Sequence, residues 1–408
     1  MYEVHKLINS LFRVSIYPAI LFLPWLYGLI SLITLKICLL FFVVVFVIGP
    51  IIFKHSVGLQ RKIFFLTFVL QDCDFHNPST YGLYATRNFY IKTKDSDVDD
   101  EVEEVKLGAW HLLPIQIAKK FSKELNLNND AIKDILNSTE ISDPELDKNE
   151  EKIHLEFSNG ITKDNEQLFY EKMLKQPGIV IIYLHGNSGT RCKDHRIEMY
   201  HVFQKLGYHV IAIDYRGFGD SENISPSEEG CVKDAMNVYN YVSNITNNPI
   251  FIWAHSLGTG VSTHLLAQMN QMNIYGPKGL MLESPFTNIR DELKSYPMAF
   301  LFRFLPWFDY TIANPLYANS LRFESDQHIN EFRQPVMILH AEDDYVVPFH
   351  LGYKLYRIAL DLRGRSWGPI EFHRFDSSLK LGHKHICRAS NLPDIIKTFI
   401  QNYKNEMY

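Results

Sequence analysis

Apolar positions along this chain follow two patterns. The first is continuous. Val14 to Phe53 holds a single charge, Lys36, in forty positions. A bilayer-spanning helix needs about twenty apolar residues, and the pattern predicts one span over 32–53. Residues 1–31 are then a cytosolic or interfacial segment, because Pro18 and Pro24 with Tyr17, Trp25 and Tyr27 suit the headgroup region. Lys36 would lie about one turn from the cytosolic end, where its stem can snorkel. Lys54, Arg61 and Lys62 on the far side weaken the charge argument for this orientation. A two-helix hairpin would instead return the rest of the chain to the cytosol. A cleaved leader would have a shorter apolar core followed by a small-residue cleavage site. The second pattern is periodic. From Gly178, short apolar runs alternate with helix-length spacers: Ile179–Leu184, Val210–Asp214, Ile250–Trp253, Gly279–Leu282, Val336–Leu339 and Glu371–Phe375. This predicts an α/β fold with a mostly parallel sheet covered by helices on both faces. Val105–Pro114 alternates like an earlier strand. The acidic run from Asp95 to Glu104 reads as a solvated loop. Residues 118–172 are polar and read as a surface insertion with some helix, within a domain covering 60–408.

Composition narrows the function classes. The formal net charge of −5 gives no basic footprint for nucleic acid. The five cysteines, Cys38, Cys73, Cys192, Cys231 and Cys387, have no C-x-x-C spacing, so neither a zinc site nor a thioredoxin-type motif is expected. Outside the apolar segment, four cysteines allow three disulfide connectivities. Asn137-Ser138-Thr139, Asn223-Ile224-Ser225 and Asn244-Ile245-Thr246 are N-glycosylation acceptors and fit a lumenal or extracellular domain. Pro226 handicaps the second.

In a parallel sheet the site lies beyond the carboxyl ends of the strands. Ile252 to Gly260 (IWAHSLGTG) reads as a strand turning sharply at Ser256 into a helix, with small Ala254 and Gly258 on either side. Such a turn strains the serine and lifts its hydroxyl above the sheet edge. His185-Gly186-Asn187 follows an earlier strand, and the N–H groups of Asn187 and Leu257 could together form an oxyanion hole. Arg216 and Asp220, in the loop after the next strand, read as a structural ion pair. Asp343 and Asp344 follow the penultimate strand, and Asp344, just before the aromatic and the V-V-P turn, is the better placed to orient a histidine. His383 and His385 follow the last strand, and spacing does not choose between them. The chain order Ser, Asp, His, each just past a strand, is that of an α/β-hydrolase.

The blocks YLHGNSGTR (183–191), DYRGFGDS (214–221), WAHSLGTG (253–260), LESPFTNIR (282–290) and LHAEDDYVVPF (339–349) resemble the α/β-hydrolase-domain-12 branch of the serine hydrolases. These are membrane-anchored lysophosphatidylserine lipases also described as monoacylglycerol lipases. The resemblance runs from about residue 60 to the C-terminus. It implies hydrolysis of the acyl ester of single-chain lipids, one N-terminal span, and a catalytic domain facing the endoplasmic reticulum lumen or the cell exterior. It implies neither metal nor organic cofactor. The nucleophile falls on Ser256 and the acid on Asp344. The family's L-G-x-x-H pattern places the base on His385 rather than His383. Ala254 stands where the family has glycine. Two other readings share the same residues: an acyl-protein thioesterase, and an inactive hydrolase fold that binds lipid. Finally, 286–330 is expected to form a cap between the sixth strand and the acid loop. Seven aromatics lie within 296–310, and Phe300, Phe304, Trp307 and Phe308 are candidate lid residues facing lipid.

Overall fold

The computed structural model describes residues 22–68, 72–95, 103–127, 150–295 and 305–406, together with 16, 19, 20, 299, 302 and 303. They form two compact units. One joins the described residues of Met1–Phe64 with those of Asn288–Arg322; the other joins Phe65–Thr287 with Phe323–Tyr408.

The larger unit is built on an eight-stranded sheet: β1 (Thr86–Asp95), β2 (Glu103–Leu112), β3 (Ile179–Leu184), β4 (Tyr208–Ile213), β5 (Ile250–His255), β6 (Gly279–Glu283), β7 (Val336–Ala341) and β8 (Ile370–Phe375). Their order across the sheet is β1-β2-β4-β3-β5-β6-β7-β8. β1 and β2 are antiparallel, β2 joins β4 antiparallel, and β3 to β8 are parallel. All six runs from Gly178 onward form strands close to their expected bounds. Side chains alternate between the faces of a strand. Ile181, Tyr183, Trp253, Met281 and Met337 therefore share one face, where they pack with Tyr200 and Phe203 of the helix Asp194–Lys205 and with Phe399 and Ile400 of the helix Leu392–Tyr403. The intervening residues face the opposite side, where the helix Leu257–Gln271 packs on β3, β5 and β6. With both faces covered, β3, β4, β5 and β7 need continuous apolar or satisfied residues, and β4, β5 and β7 are buried at every position.

Two differences from the sequence reading follow from packing. Asp95, Glu103 and Glu104 belong to the ends of β1 and β2 rather than to a loop. The stretch 118–172 is not wholly a surface insertion. Ile117, Ala118, Phe121, Ile153, Phe157, Phe169, Tyr170 and Met173 form a buried cluster of their own. A disulfide joins Cys73 to Cys192, and Cys38, Cys231 and Cys387 are free thiols. Asn223 and Asn244 are exposed, while Asn137 lies outside the described residues.

The smaller unit contains a continuous helix, Leu32–His55, of 24 residues. At 1.5 Å per residue this is about 36 Å, long enough to cross a bilayer. Ser31 caps its N-terminus by accepting from the Thr34 N–H at 3.1 Å. Ile33, Ile37, Leu40 and Phe41 are all exposed, as expected of a helix whose apolar surface runs all round. The helix widens into a π turn at Val44–Ile48. There the Phe46 carbonyl accepts the Trp307 indole N–H at 2.8 Å, and the Phe46 and Phe302 rings lie 5.3 Å apart. Lys54 places its ammonium 3.3 Å from the Tyr310 ring centre, and Asn319 donates to Gln60 at 2.7 Å. Phe308 is buried with Ala299 and Ala313. Phe300 and Phe304 lie outside the described residues.

Candidate active site

Ser256 joins β5 to the helix Leu257–Gln271 with φ 53° and ψ −115°. A non-glycine residue held at positive φ is strained, at about 1–3 kcal/mol. Its surroundings leave no alternative path. A Cβ on Gly258 would come 2.2 Å from the Leu184 carbonyl oxygen, and one on Gly186 would come 3.0 Å from Ser256 Cβ. The motif's small residues thus let two backbones and the Ser256 side chain share one place. Ala254 pairs with Leu184 and Leu282 in the sheet interior, where its single methyl fits.

The last two strands bring the partners. His383 Nε2 is 3.0 Å from Ser256 Oγ, and His383 Nδ1 is 2.8 Å from Asp344 Oδ2. The other oxygen of Asp344 accepts the N–H groups of Val346 and Val347, each at 2.9 Å. Burial would raise the Asp344 pKa. Hydrogen bonds from His340 and His383 outweigh it and hold the carboxyl well below the usual range. The carboxylate is therefore ionised and fixes His383 with Nδ1–H toward it, leaving Nε2 to accept from the serine. The neighbouring Asp343 serves the turn instead, its Oδ1 accepting the Gly382 N–H at 3.0 Å.

His385 is not in this arrangement, which corrects the expectation drawn from the resemblance. Gly382 adopts φ 54° and the His385 N–H closes a turn onto Leu381 O. This turn sends His383 toward Ser256 and His385 toward Glu198 and Cys387. The ligand atoms of those three lie within 4.8 Å of one another. Arg388 holds Glu198 with two hydrogen bonds of 2.6 Å, so the carboxylate a cation would need is already neutralised. The expected Arg216–Asp220 pair is also replaced: Arg216 binds Asp234, and Asp220 binds Arg191.

Two positioning residues have no signal in motif spacing. Arg196 is buried and donates to three carbonyls of the loop after β3: Gly186 and Ser188 at 2.9 Å and Thr190 at 2.6 Å. With its carbonyls gathered on the guanidinium, this loop carries Asn187 past Ser256. The second is His255. Burial first, then the neighbouring His383, pushes its pKa well below the usual range. It is neutral, and its Nε2–H donates to the His383 carbonyl at 2.9 Å. The residue before Ser256 thereby holds the backbone of the histidine that faces it.

Known proteins are similar to this chain in sequence and in fold. A family model described as serine aminopeptidase, S33, matches residues 175–325. The chain is 37% identical over 360 residues to the lysophosphatidylserine lipase ABHD12 of Danio rerio, covering 88% of this chain and 81% of the relative. It is 37% identical over 354 residues to that of Mus musculus, covering 86% and 76%. Protein ABHD12B of Homo sapiens is 38% identical over 246 residues, covering 58% and 65%. Among solved structures, an esterase of Pyrococcus furiosus aligns with TM-score 0.50 at 14% identity, covering 83% of this chain and 98% of that one. At that identity the likeness concerns the fold alone, an α/β-hydrolase sheet.

Proposed function

The chain belongs to the lysophosphatidylserine lipase family of serine hydrolases, and on that premise we propose that it cleaves the acyl ester of lysophospholipids, lysophosphatidylserine among them, and of monoacylglycerols. One observation carries the mechanism: His383 lies between Ser256 Oγ and Asp344 Oδ2, at 3.0 and 2.8 Å. Ser256 Oγ attacks the ester carbonyl while its proton passes to His383 Nε2. Asp344 stabilises the imidazolium. The N–H groups of Leu257, at the start of its helix, and Asn187 receive the oxyanion, each such donor contributing about 3–4 kcal/mol. His383 then protonates the departing glycerol oxygen, leaving the acyl group on Ser256. A water attacks this acyl-enzyme with His383 as base, the fatty acid leaves, and Ser256 regains its proton.

The helix Leu32–His55 supports an anchor in the bilayer, and the cap residues that contact it support a lid beside the lipid surface. The Cys73–Cys192 disulfide and the exposed Asn223 and Asn244 support a catalytic domain in the endoplasmic reticulum lumen or outside the cell. The test is labelling by a fluorophosphonate probe together with fatty-acid release from lysophosphatidylserine in detergent micelles. Wild type should do both and Ser256→Ala neither. Equal labelling of the two proteins would refute the assignment of the nucleophile. Protection of Asn244 from glycan attachment in a microsomal system would refute the lumenal orientation.

A further inference from the structure

The loop between β3 and the helix Asp194–Lys205 carries a cation that the hydrolytic mechanism leaves unused. Lys193 is half-buried, and its stem lies across the backbone of Gly189, where an added Cβ would come 2.0 Å from Lys193 Cε. Its ammonium is 3.2 Å from Ser188 Oγ, its one hydrogen bond among the described residues. This is the loop that passes over the nucleophile, since Gly186 abuts Ser256 Cβ and Asn187 is the residue between. The ammonium is thus bonded to the loop that carries Asn187, two residues beyond the glycine that abuts Ser256.

No carboxylate bonds this ammonium among the described residues. Burial first, then Arg196 and Lys384, lowers its pKa to about 8, with Asp194 acting weakly in the opposite sense. Arg196 spends its hydrogen bonds on the loop carbonyls, and the carboxylates that feel its charge, Asp214 and Glu283, are themselves buried away from Lys193, Asp214 being bonded by Arg191. Lys384 is exposed and directly follows His383. Lys193 and Arg196 thus meet on one residue of the loop, Lys193 bonding the Ser188 hydroxyl and Arg196 the Ser188 carbonyl, and the charge of Lys384 acts on Lys193 from the His383 turn. A partly desolvated ammonium without a counter-ion is costly, and an anion would relieve it. A tetrahedral phosphate offers several acceptors to a point-charge donor such as Lys. In a lysophospholipid, a phosphodiester is tethered to the same glycerol that bears the ester.

We propose that Lys193 is a specificity-determining residue that receives the head-group phosphate of a lysophospholipid whose ester lies at Ser256. This rests on the hydrolytic reading of Ser256. It gives the site a reason to favour anionic lipids over monoacylglycerols of the same chain length, which share the ester but lack the phosphate.

The test uses the full chain in neutral detergent micelles with three substrates of one acyl chain: lysophosphatidylserine, lysophosphatidylethanolamine and monoacylglycerol. Lys193→Met should lower the ratio of kcat/KM for each lysophospholipid to that for monoacylglycerol by about tenfold, mainly through KM. Lys193→Arg should restore most of it. A uniform loss on all three substrates, or no change in the ratio, would overturn the proposal. A change confined to lysophosphatidylserine would point to its serine carboxylate and overturn the phosphate assignment. If wild type hydrolyses monoacylglycerol and no lysophospholipid, the broader reading falls and this one with it.

Discussion

Replacing Arg196 by Met removes a guanidinium that gathers three loop carbonyls, at 2.6, 2.9 and 2.9 Å. A hydrogen bond to a charged group contributes about 1.5–3 kcal/mol, so three amount to roughly 5–9 kcal/mol gross. The buried cation also carries a desolvation cost of several kcal/mol that Met does not. The net loss should then be about 2–4 kcal/mol. For a domain of this size, that lowers Tm by about 3–6 °C. The more informative effect is local. With Gly186 and Ser188 released, Asn187 loses its fixed aim. Loss of one oxyanion donor lowers kcat by about 10²–10³, while KM changes little, because the acyl chain and head group still bind. Thermal unfolding and steady-state turnover on lysophosphatidylserine, both measured well below the lowered Tm, would separate the two effects. Arg196→Lys should recover only part of kcat, since one ammonium cannot span three carbonyls. A lowered Tm with full kcat would refute the positioning argument and leave Arg196 a purely structural residue.

Three further outcomes follow from the same geometry. Gly258→Val should abolish folding or activity, because its Cβ would meet the Leu184 carbonyl oxygen at 2.2 Å, and overpacking against backbone costs about 1–3 kcal/mol or more; soluble, fully active protein would contradict this. His255→Phe keeps the ring but removes the donor to the His383 carbonyl, so kcat should fall about tenfold with little change in Tm; unchanged kcat would show that the bond does not position His383. Stability should fall with acid. His111, His185, His209 and His255 are buried with lowered pKa values, His209 to about 3, desolvation being the first cause in each. Their stabilisation is complete above pH 6.5 and is lost as pH falls toward the folded values, at about 1.4 kcal/mol per pH unit for each. Glu283, pushed up to about 8 by burial, works in the opposite direction with one proton. Denaturant midpoints at pH 7.5, 6.5 and 5.5 should therefore decline below 6.5; a flat series would contradict the buried-neutral histidines.

The parallel core was legible because strands buried on both faces must be apolar without interruption, and five such runs stood out from helix-length spacers, with the edge strand β8 (Ile370–Phe375) following as a mixed one. β1 was not. It is an edge strand whose Arg87, Lys92 and Lys94 dilute the alternation. Arg87 is nonetheless buried, over the Phe89 and Tyr170 rings. The packed ends of 118–172 were hidden in the same way, since Phe121 and Phe157 are single aromatics in polar surroundings and meet Phe169 and Tyr170 only in three dimensions. At the site, the strained turn at Ser256 was readable from the small residues around it. The histidine was not, because His383 and His385 differ by two positions in a turn whose direction depends on Gly382 at positive φ and on Asp343 holding its N–H. Arg196 and His255 were out of reach for a related reason. Their partners are backbone carbonyls, which carry no residue identity.

The comparison that bears most directly on the central claim is turnover by His383→Gln and His385→Gln, each checked for fluorophosphonate labelling of Ser256. Loss of a triad histidine lowers kcat by about 10⁴ or more. The geometry predicts that loss for His383→Gln, with little labelling. It predicts turnover within a few-fold of wild type for His385→Gln. The reverse outcome, an inactive His385→Gln beside an active His383→Gln, would contradict the account.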